Sequence, residues 1–419
     1  MKYTLPRGTK DIIPDEINYW HHVEEVAREI FSLYNYNEIR TPIFESTDLF
    51  NRVMGEESDI IKKEMYSFKD KGGRDISLRP EGTAPVARAY ISNNLNRNSG
   101  ETKLFYQGPM FRYERPQAGR YRQFHQMGVE RINCKHPYAD AAVIAMSYHL
   151  FSELGLKNIK ILVNTVGSET CRPVLEARIK QFLANNLRNL PEHLHEKFEK
   201  NPLKILDSKD PSIETYLSGL PDLREALSQS SRDHFNLVLE YLDNLNIPFE
   251  YSSKIVRGLD YYTETVFEVV SEDLGAQSSI CGGGRYNNLI KSIGGKDVPA
   301  VGFAFGVERV VMLLQEQQIQ ITKKQPFIYI APMDTLHYLD AANIAQTLRY
   351  SNINCSIEFE KTDLSYSIKQ ALKHNASYCI IIGDEEVAQK SVTIKNLKKR
   401  SQQLVKNDEI IDYFKNEFD

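Results

Sequence analysis

The first third of the chain shows one helix pattern followed by several strand patterns. Apolar residues recur at spacings of three and four over residues 15–36, which is typical of an amphipathic helix, and Pro14 stands near its start. Residues 37–46 are rich in β-branched side chains and predict a strand interrupted at Pro42. Further strands are predicted at 64–70, 74–79, 103–113 and 121–132, the first two as a hairpin. Several antiparallel strands with few helices between them favour an α+β body.

The pattern changes twice in the rest of the chain. From about 168 to 250 it becomes long, polar and rich in Leu, Asn, Glu and Lys, which predicts a mainly helical insertion. Strand patterns return at 253–257, 265–271 and 276–282, and a helix is predicted from near Val307. We therefore expect a body at 1–325, built on an antiparallel sheet flanked by helices and interrupted by the insertion.

A polar linker at 315–325 leads into a second kind of pattern, in which strands and helices alternate. The predicted strands are 327–333, 355–359, 378–383 and 391–397, and the predicted helices are 336–350 and 363–375. Such alternation is typical of α/β units. We expect a smaller α/β domain at 326–419.

Composition narrows the class of protein. With 419 residues, 41% hydrophobic and 26% charged, the chain has an ordinary globular composition and room for roughly two to four domains. Its five cysteines are odd in number and never form a CxxC pair, so we expect neither disulfides nor a metal site in the protein. The polar N-terminus and the lack of an apolar stretch of about 18 residues predict a cytoplasmic protein with no membrane partner.

The strands predicted at 103–113 and 121–132 carry many basic side chains. These are Lys103, Arg112, Arg115, Arg120, Arg122 and Arg131, against two acidic residues, Glu114 and Glu130. Guanidinium groups bind phosphate oxygens bidentately, although a basic hairpin can also be a solvated face. The order of residues favours the phosphate interpretation: Arg112-x-Glu114, a Pro/Gly turn, then Arg120-x-x-x-Phe124.

This order resembles the second signature motif of class II aminoacyl-tRNA synthetases. The string GFAFGVER at 302–309 is similar to their third motif, and residues 15–45 with Pro42 loosely resemble the first, which forms the dimer interface in that family. The resemblance implies a class II catalytic domain, a homodimer, and ATP contacts from Arg112, Glu114, Phe124 and Arg309. It also implies Mg²⁺ accompanying the ATP.

Two further strings, RGLDYY at 257–262 and CGGGRY at 281–286, resemble a pair peculiar to the histidyl-tRNA synthetase family. The resemblance extends over the whole chain, including LRPEGT at 78–83, and departs at Asn287, where the family usually has aspartate. It implies activation of L-histidine with ATP and transfer of histidine to tRNA(His), by a class IIa enzyme with a C-terminal anticodon-binding domain.

The same resemblance assigns roles to residues. Arg112 and Arg257 lie on either side of the α-phosphate as the catalytic residues, while Arg115 and Gln117 bind tRNA. Histidine is expected to contact Glu81, Gly82, Thr83, Arg112, Gln126, Glu130, Arg257, Tyr261 and Tyr262. Core packing is the alternative for the two tyrosines. In the C-terminal domain the cations expected to meet tRNA phosphates are Lys390, Lys395, Lys398, Lys399, Arg400 and Lys406, unless they form an ordinary solvated face.

Two other functions remain open at this point. The histidine-binding regulatory subunit of ATP phosphoribosyltransferase shares this body but typically lacks the C-terminal domain and loses the catalytic motifs. An RNA-binding sensor module of the same fold would normally belong to a much longer chain. The first is disfavoured because the C-terminal segment, Arg112, Arg257 and Arg309 are all present, and the second because this chain has 419 residues.

Overall fold

The computed structural model describes residues 3–55, 58–97, 100–117, 119–184, 191–206, 211–217, 219–256, 259–321 and 326–418. The chain divides into two compact units, residues 1–320 and 321–419. Within the described ranges, no helix combines the length and apolar character needed to cross a membrane.

In the first unit the strands are β1 (Asn37–Glu38), β2 (Phe44–Ser46), β3 (Ser67–Lys69), β4 (Asp75–Leu78), β5 (Thr102–Phe111), β6 (Gln123–Ile132), β7 (Ile159–Thr165), β8 (Glu250–Tyr251), β9 (Thr263–Ser271), β10 (Ser279–Arg285) and β11 (Ala300–Gly306). The helices are α1 (Pro14–Leu33), α2 (Thr47–Met54), α3 (Thr83–Ser92), α4 (Tyr138–Glu153), α5 (Arg172–Ala184), α6 (Glu192–Lys200), α7 (Leu203–Leu206), α8 (Pro211–Leu217), α9 (Gln229–Asn244), α10 (Leu289–Ser292) and α11 (Val307–Glu316).

The first unit is built on an eight-stranded mixed sheet with the order β1-β5-β6-β11-β10-β9-β7-β8. Its two edge pairs, β1 with β5 and β7 with β8, are parallel, and the other neighbours are antiparallel. A separate three-stranded sheet has the order β2-β4-β3. The expected α+β body on a largely antiparallel sheet is confirmed.

One face of the large sheet packs against helices. Met127 and Val129 of β6 and Phe303 and Phe305 of β11 point into this core, together with side chains of α1, α4, α9 and α11. Because successive residues of a strand face opposite sides, the residues between them lie on the other face. That second face carries the candidate site.

The second unit has the sheet order β13-β12-β14-β15-β16. Its strands are β12 (Ile328–Pro332), β13 (Cys355–Ile357), β14 (Tyr378–Ile382), β15 (Ser391–Asn396) and β16 (Ser401–Lys406), and its helices are α12 (Tyr338–Tyr350), α13 (Leu364–Lys373), α14 (Asp384–Ala388) and α15 (Ile410–Phe418). The three strands β13, β12 and β14 are parallel, and β15 and β16 are antiparallel additions. The α/β character of this part of the chain is confirmed.

The structure corrects several expected elements. The single strand predicted over 37–46 is two short strands that belong to different sheets. The strand predicted at 253–257 is wrong over its described residues, which form a turn and irregular backbone. Ile255 and Val256 caused that prediction, and Val256 packs in the core of the helical segment instead. Several elements were not predicted, among them helices α2, α3 and α4 and strands β7 and β16.

Candidate active site

The open face of the large sheet has a floor of small residues. Across β10, β11 and β6 the paired positions are Gly284 with Gly302, Gly282 with Ala304, and Ala304 with Gly128. A Cβ atom at Gly302 would lie 2.2 Å from the carbonyl oxygen of Val129 and 2.3 Å from Oε2 of Glu130. These positions therefore leave room above the sheet that larger side chains would fill.

A cavity of about 70 Å³ lies over this floor. Six of the residues expected to bind histidine line it: Glu81, Thr83, Gln126, Glu130, Tyr261 and Tyr262. The others around it are Tyr106, Gly282, Tyr286, Gly302, Phe303 and Ala304. Gly82 and Arg112 do not line the cavity, and Arg257 lies outside the described residues. Residues from distant parts of the sequence thus meet in one small polar pocket.

Glu130 is the carboxylate at the bottom of this pocket. It lies on β6 beside the core residue Val129, is 2% exposed, and accepts a hydrogen bond from the hydroxyl of Tyr286. Burial raises its pKa well above the usual range, a hydrogen bond from Thr83 lowers it, and the charge of Glu81 raises it further. The carboxyl group is therefore held where a ligand that donates a hydrogen bond would stabilise its anion.

Glu81 stands at the start of α3. Its two carboxylate oxygens accept hydrogen bonds from the backbone N–H groups of Thr83 at 2.6 Å and Ala84 at 2.8 Å. Burial raises the pKa of Glu81, and these N–H groups and the charge of Arg112 lower it. A carboxylate at a helix N-terminus is also favoured by the helix dipole. Its orientation towards the cavity is consequently fixed by the backbone.

Gly82 has a packing role in the structure. A Cβ atom there would lie 2.1 Å from the ring of Tyr106, and a Cβ at Gly128 would lie 2.5 Å from the Tyr106 hydroxyl oxygen. The aromatic ring of Tyr106 is therefore clamped between two glycines and forms one wall of the pocket.

Gln126 lies four residues before Glu130 on β6 and lines the same cavity. Its Oε1 atom is buried and has no hydrogen-bond partner among the described residues. Buried polar atoms are normally paired, so an unpaired acceptor that faces a cavity indicates a ligand with an N–H or O–H group.

The tyrosine pair forms the opposite wall. The rings of Tyr261 and Tyr262 have centroids 4.7 Å apart, and both contact the ring of Tyr286 edge-on. They also pack against the apolar cluster that includes Tyr90 and Leu289. Each ring therefore lines the cavity and also packs against the core.

A second polar group lies beyond the end of β5. Nε of Arg112 donates to the carbonyl oxygen of Pro80 at 2.8 Å, and its guanidinium carbon lies 5.3 Å from the centroid of the Phe124 ring. Glu114 lies 3.7 Å from Arg112 and 3.4 Å from Arg120. The structure therefore brings the expected ATP residues Arg112, Glu114 and Phe124 together.

Arg309, the fourth of these residues, is on α11 and close to the same loop. A Cβ at Gly119 would lie 3.3 Å from its Cγ. Burial lowers the pKa of Arg309, as does the charge of Arg120, while Glu268 and Glu114 raise it. Its Nε atom is buried without a hydrogen-bond partner in the described parts of the chain. An anionic ligand would satisfy this donor and relieve the repulsion between the two arginines.

The loop between β5 and β6 presents the residues expected to meet tRNA. Arg115 and Gln117 are exposed, and Gln117 and Arg120 exchange two backbone hydrogen bonds of 3.2 and 2.9 Å. Both side chains lie on the surface, and neither lines the cavity.

Comparison with known proteins identifies the family. The family model described as Histidyl-tRNA synthetase matches residues 8–310, and the model described as Anticodon binding domain matches residues 328–417. The chain belongs to the histidyl-tRNA synthetase family.

Individual relatives cover nearly the whole chain. It is 42% identical to the histidine–tRNA ligase of Pelotomaculum thermopropionicum over 99% of this chain and 98% of that one. It is 46% identical to the chloroplastic histidine–tRNA ligase of Gracilaria tenuistipitata var. liui over 93% of each chain. The crystal structure of apo S. aureus histidyl-tRNA synthetase is similar with a TM-score of 0.83 and 35% identity, over 99% of this chain and 100% of that one.

The CGGGRY string of this family member also has a structural role. Arg285 is 1% exposed, donates from Nε to both carboxylate oxygens of Asp140 at 3.0 and 3.1 Å, and donates to the carbonyl oxygen of Cys134 at 3.0 Å. Asn287, at the position of the family's usual aspartate, accepts from Arg285 at 3.5 Å. A neutral amide is sufficient there because Asp140 already balances the guanidinium charge.

Tyr106 and Tyr286 line the cavity but were not among the expected site residues. A partial signal was present for each. Tyr286 ends the CGGGRY string, and Tyr106 stands between Phe105 and Gln107 on a strand that was predicted. The direction in which each ring points depends on how the strands pair, which the pattern alone does not give.

Proposed function

We propose that this chain is a histidine–tRNA ligase, which forms histidyl-adenylate from L-histidine and ATP and then transfers histidine to the 3′ end of tRNA(His). Membership of the histidyl-tRNA synthetase family over the whole chain supports the ligase activity. The observation that favours histidine as the amino acid is the buried carboxyl of Glu130 at the end of a small cavity that also contains an unpaired amide oxygen.

In this proposal Glu130 accepts a hydrogen bond from one ring nitrogen of histidine and Tyr262 meets the other. Glu81, Thr83 and Gln126 hold the α-amino group, which suits the unpaired Oε1 of Gln126. A pocket built from hydrogen-bonding groups rejects analogues that lack the matching groups by large factors. Apolar amino acids have no side-chain N–H group to donate to the buried carboxyl of Glu130, whose hydrogen bond in the empty site comes from the Tyr286 hydroxyl.

The first chemical step is attack of a histidine carboxylate oxygen on the α-phosphorus of ATP. The new P–O bond forms as the bond to the β-phosphate oxygen breaks and pyrophosphate leaves with that electron pair. We propose that Arg112 and Arg257 stabilise the charge on the α-phosphate, with Glu114, Phe124 and Arg309 holding the nucleotide. The contribution of the protein is positioning and charge neutralisation, since the nucleophile is already an anion.

We further propose that Mg²⁺ accompanies ATP. The described residues contain no group of three His, Cys, Asp or Glu side chains able to hold a metal ion. The phosphates would supply most of the ligands, as is usual for Mg²⁺ in nucleotide sites. When bound, the ion would neutralise charge on the β- and γ-phosphates.

In the second step a terminal ribose hydroxyl of tRNA takes the acyl group and AMP leaves. Exposed Arg115 and Gln117 are proposed to contact the acceptor end. In the second unit five of the six proposed phosphate contacts are exposed: Lys390, Lys398, Lys399, Arg400 and Lys406. Lys399 also pairs with Glu417 at 3.4 Å, so its charge is partly offset.

The domain limits and assembly also belong to the proposal. We place the catalytic domain at 1–325 with its insertion at about 168–250, and the anticodon-binding domain at 326–419. The division at Gln320 and the helices α5 to α9 support these limits. A cytoplasmic homodimer is proposed, since Leu33, Ile43 and Phe44 are exposed apolar residues within or beside the first signature motif.

Charging of tRNA with labelled histidine tests this function against the alternative of a histidine-binding regulatory subunit. We expect ATP-dependent, acid-precipitable histidine on tRNA(His) and none on a control tRNA. Binding of histidine without any charging would favour the regulatory subunit and exclude the ligase.

A further inference from the structure

The segment that carries Tyr261 and Tyr262 is tied to the helical part of the chain through the preceding residue, Asp260. Arg172, the first residue of α5, donates to the carbonyl oxygen of Asp260 at 3.1 Å and to its Oδ1 at 3.3 Å. Asp260 thereby joins the backbone before the tyrosine pair to the start of a helix outside the sheet.

Two other donors complete this contact. Nδ2 of Asn201 lies 3.0 Å from Oδ1 of Asp260, and Nζ of Lys204 lies 3.3 Å from Oδ2. Both residues belong to the helical segment, at and just before α7. The side chains of Lys204 and Asp260 are 17% and 23% exposed, so solvent screens the pair only in part. We call Asp260 with Arg172, Asn201 and Lys204 the Asp260 clasp.

The space behind the tyrosine pair makes the clasp important. A second cavity, of about 230 Å³, lies between the helical segment and the sheet. Tyr261 and Tyr262 line it and also line the cavity of about 70 Å³ proposed to bind histidine, which we call the histidine cavity. On their other side the two rings pack against Tyr286 and its apolar cluster. The clasp is the polar contact that holds the preceding residue, Asp260, to the helical segment on the side of the second cavity.

We propose that Asp260 is a positioning residue for histidine recognition, and that the clasp makes the affinity for histidine depend on where the helical insertion sits. The inference rests on the proposed function, because it concerns the residues that read the imidazole ring. Breaking the clasp removes a restraint on the segment that carries the tyrosine pair. Part of the free energy of histidine binding is then lost in ordering that segment. Of the residues proposed to bind ATP, Arg112, Glu114, Phe124 and Arg309 lie on other elements, whereas Arg257 precedes Asp260 by three residues, so breaking the clasp should weaken ATP binding less than histidine binding.

The test compares Asp260→Asn and Lys204→Met with wild type by pyrophosphate exchange and by calorimetric titration with histidine. Each variant loses a charge-assisted hydrogen bond, so we expect the KM and Kd for histidine to rise at least about tenfold while the KM for ATP stays within about threefold. The double variant should be little worse than Asp260→Asn alone, since that change already weakens the contact with Lys204. Lys204→Arg should restore most of the affinity.

Lys180→Met is the matched control. Lys180 is on α5, is partly exposed and donates to the carbonyl oxygen of Glu199 at 2.7 Å, away from Asp260. It should leave the histidine KM unchanged. If the wild-type protein is active and both clasp variants keep its histidine affinity, the positioning role is wrong while the proposed function stands. A joint loss of kcat, ATP affinity and melting temperature in the variants would also overturn the positioning role. Absence of exchange in wild type overturns the proposed function and with it this inference.

Discussion

The carboxyl group of Glu130 is buried beneath the cavity, and burial is the main reason for its raised pKa. In the unfolded chain the same group has an ordinary pKa of about 4.3. The folded state therefore holds the proton more tightly, and the stability contributed by Glu130 falls as pH rises above that value towards the folded pKa. At neutral pH, Glu130 therefore lowers the stability of the ligand-free protein.

Glu130→Gln should separate stability from binding. The amide has no charge to bury, so we expect the ligand-free variant to be at least as stable as wild type at pH 7, with a difference that grows as pH rises from about 4. Histidine binding should weaken roughly 10- to 100-fold because a charge-assisted hydrogen bond is lost. Thermal unfolding across pH and calorimetric titration measure the two effects. A less stable variant with unchanged affinity would contradict this role for Glu130.

For single residues, the sequence motifs predicted several that meet in the structure, but not the packing role of each. Gln126, Glu130 and Tyr262, which the resemblance gives as histidine contacts, line one cavity, whereas Gly82 packs under Tyr106. The orientation of a side chain depends on strand pairing and on its neighbours across the sheet. No pattern within a single strand contains that information.

At the scale of elements, β11 provides both the core and the floor of the pocket. Phe303 and Phe305 face the helices, while Gly302 and Gly306 face the open side. A methyl group at Gly302 would meet Val129 and Glu130, whereas one at Gly306 would meet its nearest neighbour, Cγ of Arg309, at 3.8 Å.

Gly302→Ala should consequently abolish detectable histidine binding and lower the melting temperature, since both blocking contacts come within about 2.3 Å. Gly306→Ala is the control on the same strand and should keep the wild-type melting temperature and histidine affinity. Calorimetric titration and thermal unfolding of both variants provide the readout. Equal behaviour of the two variants would show that the floor does not require glycine at 302.

The ion pair of Asp140 with Arg285 joins α4 to β10. Burial opposes the charge on Asp140, but Arg285 and His234 lower its pKa to about 2. The stability from this depressed pKa is present above the unfolded value of about 3.9 and is lost as pH falls towards 2. Asp140→Asn leaves a buried guanidinium without its counter-charge.

We expect Asp140→Asn to lower the free energy of unfolding by about 3–5 kcal/mol at pH 7, measured by urea denaturation. Asp48→Asn is the matched control, because its pair with Arg52 is exposed and should change stability by less than about 1 kcal/mol. A cost for Asp140→Asn as small as that of the control would contradict the importance of the pair.

Periodicity predicted many of the elements, but it missed α4, β7 and β16 and wrongly predicted a strand at 253–257. Ile255 and Val256 read as a strand because short apolar runs look alike, but Val256 is buried against helices. Strand β16 has only Leu404 and Val405 as apolar residues and exists because it pairs with β15 along its full length. Tertiary contacts decided both cases.

For the whole molecule, the site depends on segments that are far apart in the chain. Glu81 at the start of α3, Glu130 on β6 and Tyr262 before β9 line one cavity. Arg309 on α11 lies near the β5–β6 loop, which carries Glu114, one of the residues proposed to bind ATP. Resemblance to a known family could predict this assembly from the sequence, because its motifs occur in the right order. Composition and net charge could not.

The most direct test of the account is the exchange of labelled pyrophosphate into ATP by the purified protein, measured separately with each of the twenty amino acids. We expect exchange with histidine, and rates at least about 100-fold lower with the other nineteen, because only an imidazole satisfies the buried groups of the pocket. Exchange that is absent with histidine, or equally fast with another amino acid, would contradict the central claim.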